Sequence, residues 1–215
     1  MNQHILLADA LAEQRANAST AGRIMYDGLI KHLIDTLAVG NALKPGDRAP
    51  DFQLASADGR LLSSTEILAK GPAVLSFYRG AWCPYCSAEL NALAEIASDI
   101  RAAGATLIAI TPESGGTALR TKVGRNLDFD ILCDLDNTLA FEFGLIFRVP
   151  DDVRQAYLER GIDFAKIYGN SSWVLPVPAT YIVRRDGVIA HAYVNPDFRY
   201  RLEPREILVA LANIA

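Results

Sequence analysis

Two cysteines carry the chemistry this chain is equipped for: Cys83 and Cys86, in the run Trp82-Cys83-Pro84-Tyr85-Cys86. A cysteine attacks as thiolate, not as thiol, so what matters is whether its surroundings favour the charge. An apolar run, Val74-Leu75-Ser76-Phe77-Tyr78, precedes the pair, and a short turn through Arg79-Gly80-Ala81 separates them. A long helical pattern then starts at Pro84. Cys83 therefore falls at a helix start, among amide N–H groups without intrahelical partners and at the positive end of the helix dipole. Pro84 suits the first helical position, where no N–H is needed. Cys86 lies three residues on and shares a helix face with Cys83. The two sulfurs can close a disulfide. Its loop is too short to gain much chain entropy, which marks a bond that opens and closes in use.

A C-x-x-C can also be half of a zinc site, but zinc needs four ligands. The other candidates, Cys133, His4, His32 and His191, stand at no metal-ligand spacing. Two inert core cysteines are the plainer alternative, since free cysteine is often buried. The redox reading of C-x-x-C beside a β-α-β pattern outweighs both.

The elements that must hold this pair can be read in order. Residues 1–43 read as helix, with Ile24, Leu29 or Ile30, Leu33, Ile34 and Leu37 near helical spacing, a cap at Ser19-Thr20 and a stop at Gly40. This stretch is an amphipathic pair of helices docked on the main domain, with a dimerisation element as the alternative. Lys44-Pro45-Gly46-Asp47 is a break. Asp51-Phe52-Gln53-Leu54 and Arg60-Leu61-Leu62 form a hairpin around Asp58-Gly59, and Ser63 to Glu66 caps a short helix. Strands are expected over Ala73 to Tyr78, Ala105 to Ile110 and Ile131-Leu132, with helices over Pro84 to Ala103, Thr117 to Gly124 and Asn137 to Phe143. Residues 145–176 read as irregular, with a helix after Asp151-Asp152. A hairpin over Thr180 to Val194, turning at Arg185-Asp186-Gly187, precedes a last helix from Glu203-Pro204 to about Asn213. Gly115-Gly116 lacks the lysine and spacing of a phosphate loop and reads as a turn and helix start. The order suits parallel strands with crossover helices followed by an antiparallel hairpin, with the cysteines at the carboxyl end of a strand.

The 215 residues, 51% hydrophobic and 21% charged, can fold as one domain with an extension. A net charge of −4 gives no basic surface for nucleic acid. No apolar run approaches the roughly 20 residues of a membrane helix. Three cysteines argue against a secreted disulfide framework. With no signal peptide legible at the N-terminus, a reducing, cytoplasmic setting is expected.

Lys44 to Ala215 resembles the peroxiredoxin-like members of the AhpC/TSA group, which have the thioredoxin fold. The likeness lies in Gly46-Asp47-Arg48-Ala49-Pro50-Asp51-Phe52, in Ile131 to Asn137 with Phe143-Gly144, and in Pro178 to Gly187. It implies an α/β, thioredoxin-like domain over 44–215, a central mixed sheet flanked by helices, with 1–43 as an N-terminal helical extension. There are two departures. The family's threonine three positions before the attacking cysteine is Gly80 here, and its arginine before the Ala-Thr of the hairpin is Pro178. The second change, like Cys-Pro-Tyr-Cys itself, is similar to thioredoxins and glutaredoxins, whose cis-proline faces the cysteine pair.

The resemblance implies a thiol peroxidase with no metal or organic cofactor. Cys83 would attack a hydrogen peroxide or organic hydroperoxide O–O bond and become a sulfenic acid, which Cys86 captures as a disulfide. Thioredoxin, glutaredoxin or glutathione would reduce it, and a homodimer is possible. The rival activity is protein disulfide exchange by the same pair; a non-catalytic binding protein on the same fold is the other rival. Arg79, the only cation close to Cys83 in sequence, is expected to hold the thiolate, the alternative being an exposed loop arginine. Tyr78 and Trp82 would wall the site or belong to the core, and Tyr85 would face outward as a partner contact. Pro178 would be cis and leave the backbone of Val177 open to a docking strand, the alternative being a trans-proline at a strand start. Cys133 reads as structural, with a second resolving thiol as the alternative. Ser76 stands where some thioredoxins have a buried acid, and proton transfer is left to water or to Glu89.

Overall fold

A computed structural model describes residues 6–214; His4 lies outside them. In chain order the elements are α1 (Leu7–Ala16), α2 (Thr20–Asp35), β1 (Gln53–Ser56), β2 (Leu61–Ser63), α3 (Ser64–Lys70), β3 (Ala73–Phe77) and α4 (Pro84–Ala102). There follow β4 (Thr106–Thr111), α5 (Gly115–Gly124), β5 (Asp130–Cys133), α6 (Thr138–Glu142), β6 (Ile146–Arg148), α7 (Asp151–Glu159) and α8 (Phe164–Tyr168). The chain ends in β7 (Val174–Pro176), β8 (Ala179–Val183), β9 (Ile189–Val194) and α9 (Pro204–Ala212).

Among the described residues, seven strands form one mixed sheet in the order β2-β1-β5-β4-β3-β8-β9. The inner strands β3, β4 and β5 are parallel, and β8 runs antiparallel to β3, pairing Phe77 with Ala179. All of β3 is buried, as expected for a strand covered on both faces. Alternation then divides its side chains. Val74 and Tyr78 join the cluster under α1, α2, α4 and α9, while Ala73, Leu75 and Phe77 join the one under α3 and α6. Helix α4 buries Leu90, Leu93, Ala97 and Ile100, spaced three to four residues apart along one face. Ser63 and Glu66 form a reciprocal cap at α3, as their order suggests.

Two expectations need correction. Helix α2 stops at Asp35, not at Gly40. Its end closes at Leu37, which takes φ 50°, while Leu37 N–H donates to Ile34 and Ala38 N–H to Leu33. That closure usually calls for glycine, which is why Gly40 drew the eye. In 145–176 the helix expected after Asp151-Asp152 is α7, but the rest is not irregular: β6 and β7 pair as a small separate sheet and α8 lies between them. β6, β7 and α8, three to five residues each, are too short for a periodic signal, and tertiary packing holds them. Val153, Tyr157, Phe164, Tyr168 and Trp173 are all buried. The N-terminal helices bury Leu7, Leu11, Leu29, Ile30 and Leu33 in the same cluster.

Candidate active site

Strand β3 delivers the chain to the site. Tyr78 N–H still donates to Ile110, but Gly80 turns the backbone with φ 146°. A Cβ there would lie 2.8 Å from Trp82 Nε1 and 3.0 Å from Glu113 Oε1. Glycine is thus required by conformation and by space, which accounts for the departure from threonine. Cys83 N–H then donates to the Gly80 carbonyl at 3.1 Å, and Cys83 becomes the cap of α4, with Pro84 first in the helix.

Cys83 and Cys86 are both fully buried, and both are free thiols. The Cys83 sulfur accepts hydrogen bonds from Arg79 Nη2 at 3.0 Å and from the Cys86 N–H at 3.4 Å. Burial alone would raise the Cys83 pKa. The hydrogen bond from the Cys86 thiol, the guanidinium groups of Arg79 and Arg201 and the Cys86 N–H outweigh it and bring the thiol down to about 5. Cys86 goes the other way: burial, its hydrogen bond to Cys83 and that neighbour's charge push it well up. The site thus separates one thiolate from one thiol.

Arg79 is not an exposed loop residue; it is entirely buried. Its guanidinium lies 3.8 Å from the centroid of Phe198, 5.1 Å from Trp82 and 6.0 Å from Tyr26, and Nη1 reaches Tyr157 Oη at 3.5 Å. Among the described residues no carboxylate pairs with it. A buried charge without a counter-charge is costly, and the Cys83 thiolate is the anion within reach. Trp82 does wall the site: its indole donates to Tyr168 Oη at 2.6 Å, and Tyr168 donates to the Arg79 carbonyl at 2.5 Å. Tyr78 is buried beside Glu113.

Three placements differ from the sequence reading. Tyr85 does not face outward; it is buried, edge-on to Tyr26 and Phe198 at 6.1 and 6.3 Å, because α2 and the segment before α9 cover it. The Val177–Pro178 peptide bond is trans. Val177 offers no free backbone to a docking strand: it is fully buried and its N–H donates to the Leu145 carbonyl at 2.7 Å. The β6–β7 segment thus occupies the place a partner strand would take.

Sequence reading passed over Glu113, Arg201, Tyr26, Phe198 and the α7–α8 aromatics. Glu113 follows the carboxyl end of β4, where sheets of this kind place functional groups, and that rule could have found it. It is buried, accepts the Ala81 N–H at 3.0 Å, and burial pushes its acid up to about 7. Glu89, considered for proton transfer, is also buried and is paired with Arg201 at 2.7 Å; burial brings it to about 7 against the pull of that partner. Cys133 lies on β5; burial and then Glu113 raise its thiol to about 11. Among the described residues no three His, Cys, Asp or Glu side chains are grouped as a metal would need. Nor is any helix of the described residues long and apolar enough to cross a membrane.

A mixed sheet that presents paired cysteines where an inner parallel strand meets a helix defines a protein of the thioredoxin fold. Peroxidoxin BcpB of Mycobacterium tuberculosis superposes with a TM-score of 0.64 at 20% identity, over 80% of this chain and 99% of that one. The AhpC/TSA family profile matches residues 45–192, and the chain belongs to that family. In sequence, a curated M. tuberculosis relative named as a peroxiredoxin is 28% identical over 103 residues, 48% of this chain and 67% of that protein. Chloroplastic peroxiredoxin Q of Oryza sativa is 27% identical over 150 residues, 70% of this chain and 58% of the rice protein.

Proposed function

We propose that the protein is a thiol peroxidase that reduces hydrogen peroxide or an organic hydroperoxide with Cys83 and resolves the product with Cys86. The Cys83 thiolate attacks one peroxide oxygen, the O–O bond breaks, and the leaving oxygen takes a proton to become water or an alcohol. Cys83 is then a sulfenic acid. Cys86 attacks that sulfur, the S–O bond breaks, water leaves and a disulfide remains. An external thiol, of the thioredoxin, glutaredoxin or glutathione class, restores both thiols by exchange. The natural setting is a reducing compartment such as the cytoplasm, where that reductant is supplied.

The observation that carries this reading is Arg79. A fully buried guanidinium, 3.0 Å from Cys83 Sγ and without a carboxylate partner among the described residues, both steadies the thiolate and offers N–H donors to a peroxide oxygen. Burial of both sulfurs and the covered backbone of Val177 favour a small oxidant over a protein disulfide as the first substrate.

The test is turnover with peroxide and a thioredoxin or glutathione reducing system. Cys83→Ser should lose all turnover. Cys86→Ser should consume one equivalent of peroxide and hold a sulfenic acid that dimedone traps on Cys83. Peroxidase activity surviving in Cys83→Ser would refute the assignment.

A further inference from the structure

Arg79 serves the first sulfur, and a second buried arginine stands at the other. Arg201 Nη2 donates to Cys86 Sγ at 3.6 Å, and its Nε donates to the Glu89 carboxylate at 2.7 Å. Its Nη1 donates to the carbonyls of Phe198 and Tyr200. The side chains of Arg201 and Glu89 are 1% and 2% exposed. Glu89 sits one turn beyond Cys86 on the same face of α4. A buried ion pair of this kind is not needed for stability, since apolar side chains of similar volume often do as well. In the attack on peroxide Arg201 acts only through its charge, as one of the groups that lower the Cys83 thiol, and its contact with Cys86 and its pairing with Glu89 have no part.

We propose that Arg201 is a positioning residue for the second sulfur, steadying the Cys86 thiolate as it forms to capture the Cys83 sulfenic acid, and that Glu89 orients Arg201 and moderates its field. This rests on the reading of Cys86 as the resolving thiol. In the step, the Cys86 S–H bond breaks and its sulfur electron pair forms the bond to Cys83 sulfur. The Cys83 S–O bond breaks, and the departing hydroxide leaves as water with the proton from Cys86. Cys86 is oxidised and the Cys83 sulfur is reduced, so no further oxidant is needed.

The groups around this step come from several elements. Cys86 faces Cys83 at the start of its own helix, Arg79 from the turn after β3 and Arg201 from the segment before α9. Glu113 after β4 and the phenols of Tyr78, Tyr157 and Tyr168 also feel its charge. Glu89 faces Arg201, Cys86 and Thr180 of β8. Burial holds the Cys86 thiol well up, and Arg201 is the first of the groups that pull it down. Removing Arg201 should therefore slow capture, and removing the Glu89 charge should speed it. A merely structural pair would respond to both changes in the same direction.

The experiment follows reduced protein after one equivalent of hydrogen peroxide by stopped-flow tryptophan fluorescence, with dimedone quench for sulfenic acid. Two phases are read: oxidation of Cys83, then disulfide formation. In Arg201→Met the ratio of second to first rate should fall about tenfold, the effect of one pK unit on the Cys86 thiolate. Sulfenic acid should accumulate, and Arg201→Lys should restore most of the ratio. Glu89→Gln should move the pH profile of the second phase to lower pH. The double variant Glu89→Gln/Arg201→Met, which buries no charge, should fold and still resolve slowly. An unchanged ratio in Arg201→Met or in the double variant overturns the inference, as does a shift of both single variants in one direction. A wild type with no second phase, and a Cys86→Ser variant that traps no sulfenic acid, would instead bring down the peroxidase reading itself.

Discussion

Replacing Arg79 with methionine isolates what its charge does for Cys83. Methionine keeps most of the apolar stem and packs well against Phe198, Trp82 and Tyr26, the rings that surround the guanidinium. The swap strands no carboxylate, because none pairs with Arg79 among the described residues. What is lost is the donor 3.0 Å from Cys83 Sγ. A hydrogen bond to a charged group contributes about 1.5–3 kcal/mol, which is roughly 1–2 pK units. The Cys83 thiol should rise from about 5 to roughly 6–7 by that amount. The assay is thiolate ultraviolet absorbance of the reduced protein against pH, beside the pH dependence of peroxide consumption. Arg79→Met should lose most of its rate below pH 6 and recover part of it above pH 7. A folded Arg79→Met protein that titrates at the wild-type pH would refute the role of the guanidinium.

Three further outcomes follow from the same geometry. Gly80→Ala places a Cβ 2.8 Å from Trp82 Nε1 at φ 146°, so it should destabilise by about 1–3 kcal/mol and lower peroxidase activity by displacing Trp82, as chemical denaturation and turnover would show. Leu37→Gly removes the left-handed strain from an exposed residue at φ 50° and should stabilise by about 1 kcal/mol, a melting shift of roughly 2–4 °C; an unchanged or lower melting point would contradict it. Cys83 has a folded pKa of about 5 against 9.0 for an unperturbed thiol, so its thiolate stabilises the fold fully above the unfolded pKa and loses that contribution as pH falls through 5. The stability gap between wild type and Cys83→Ser should therefore grow with pH by about 1.4 kcal/mol per unit between these values, measured by denaturant unfolding in reductant; a flat gap would show an unshifted thiol. The difference is the quantity to measure, because Glu89 and Glu113, raised to about 7, act in the opposite sense over part of that range.

The strand, turn and helix that hold the cysteines were legible because each leaves a local signature. Val74 to Phe77 is continuously apolar, Gly80 permits the turn, and α4 repeats its apolar positions over five turns. The enclosing shell was not legible. Phe164, Tyr168 and Trp173 come from pieces too short to show a period, and although α7 is legible as a helix, nothing in it says that Tyr157 packs on Trp82. Arg201 lies 115 residues from Cys86, and nothing near it in sequence marks it out from Arg199 two positions before. Tyr85 was misplaced for the same reason: its cover, Tyr26 and Phe198, is supplied from both ends of the chain. The likeness to thioredoxins implies a cis Pro178 with an open backbone before it, whereas Val177 is tied to Leu145 by the β6–β7 excursion.

The central claim is that peroxide oxidises Cys83 and that Cys86 captures the product. Intact mass and peptide mapping of the reduced protein after one equivalent of hydrogen peroxide address it most directly. The account predicts a protein lighter by two hydrogens, with a Cys83–Cys86 disulfide in one peptide and Cys133 still open to alkylation after unfolding. Peroxide left unconsumed, with Cys83 and Cys86 both still alkylated as free thiols, would contradict it.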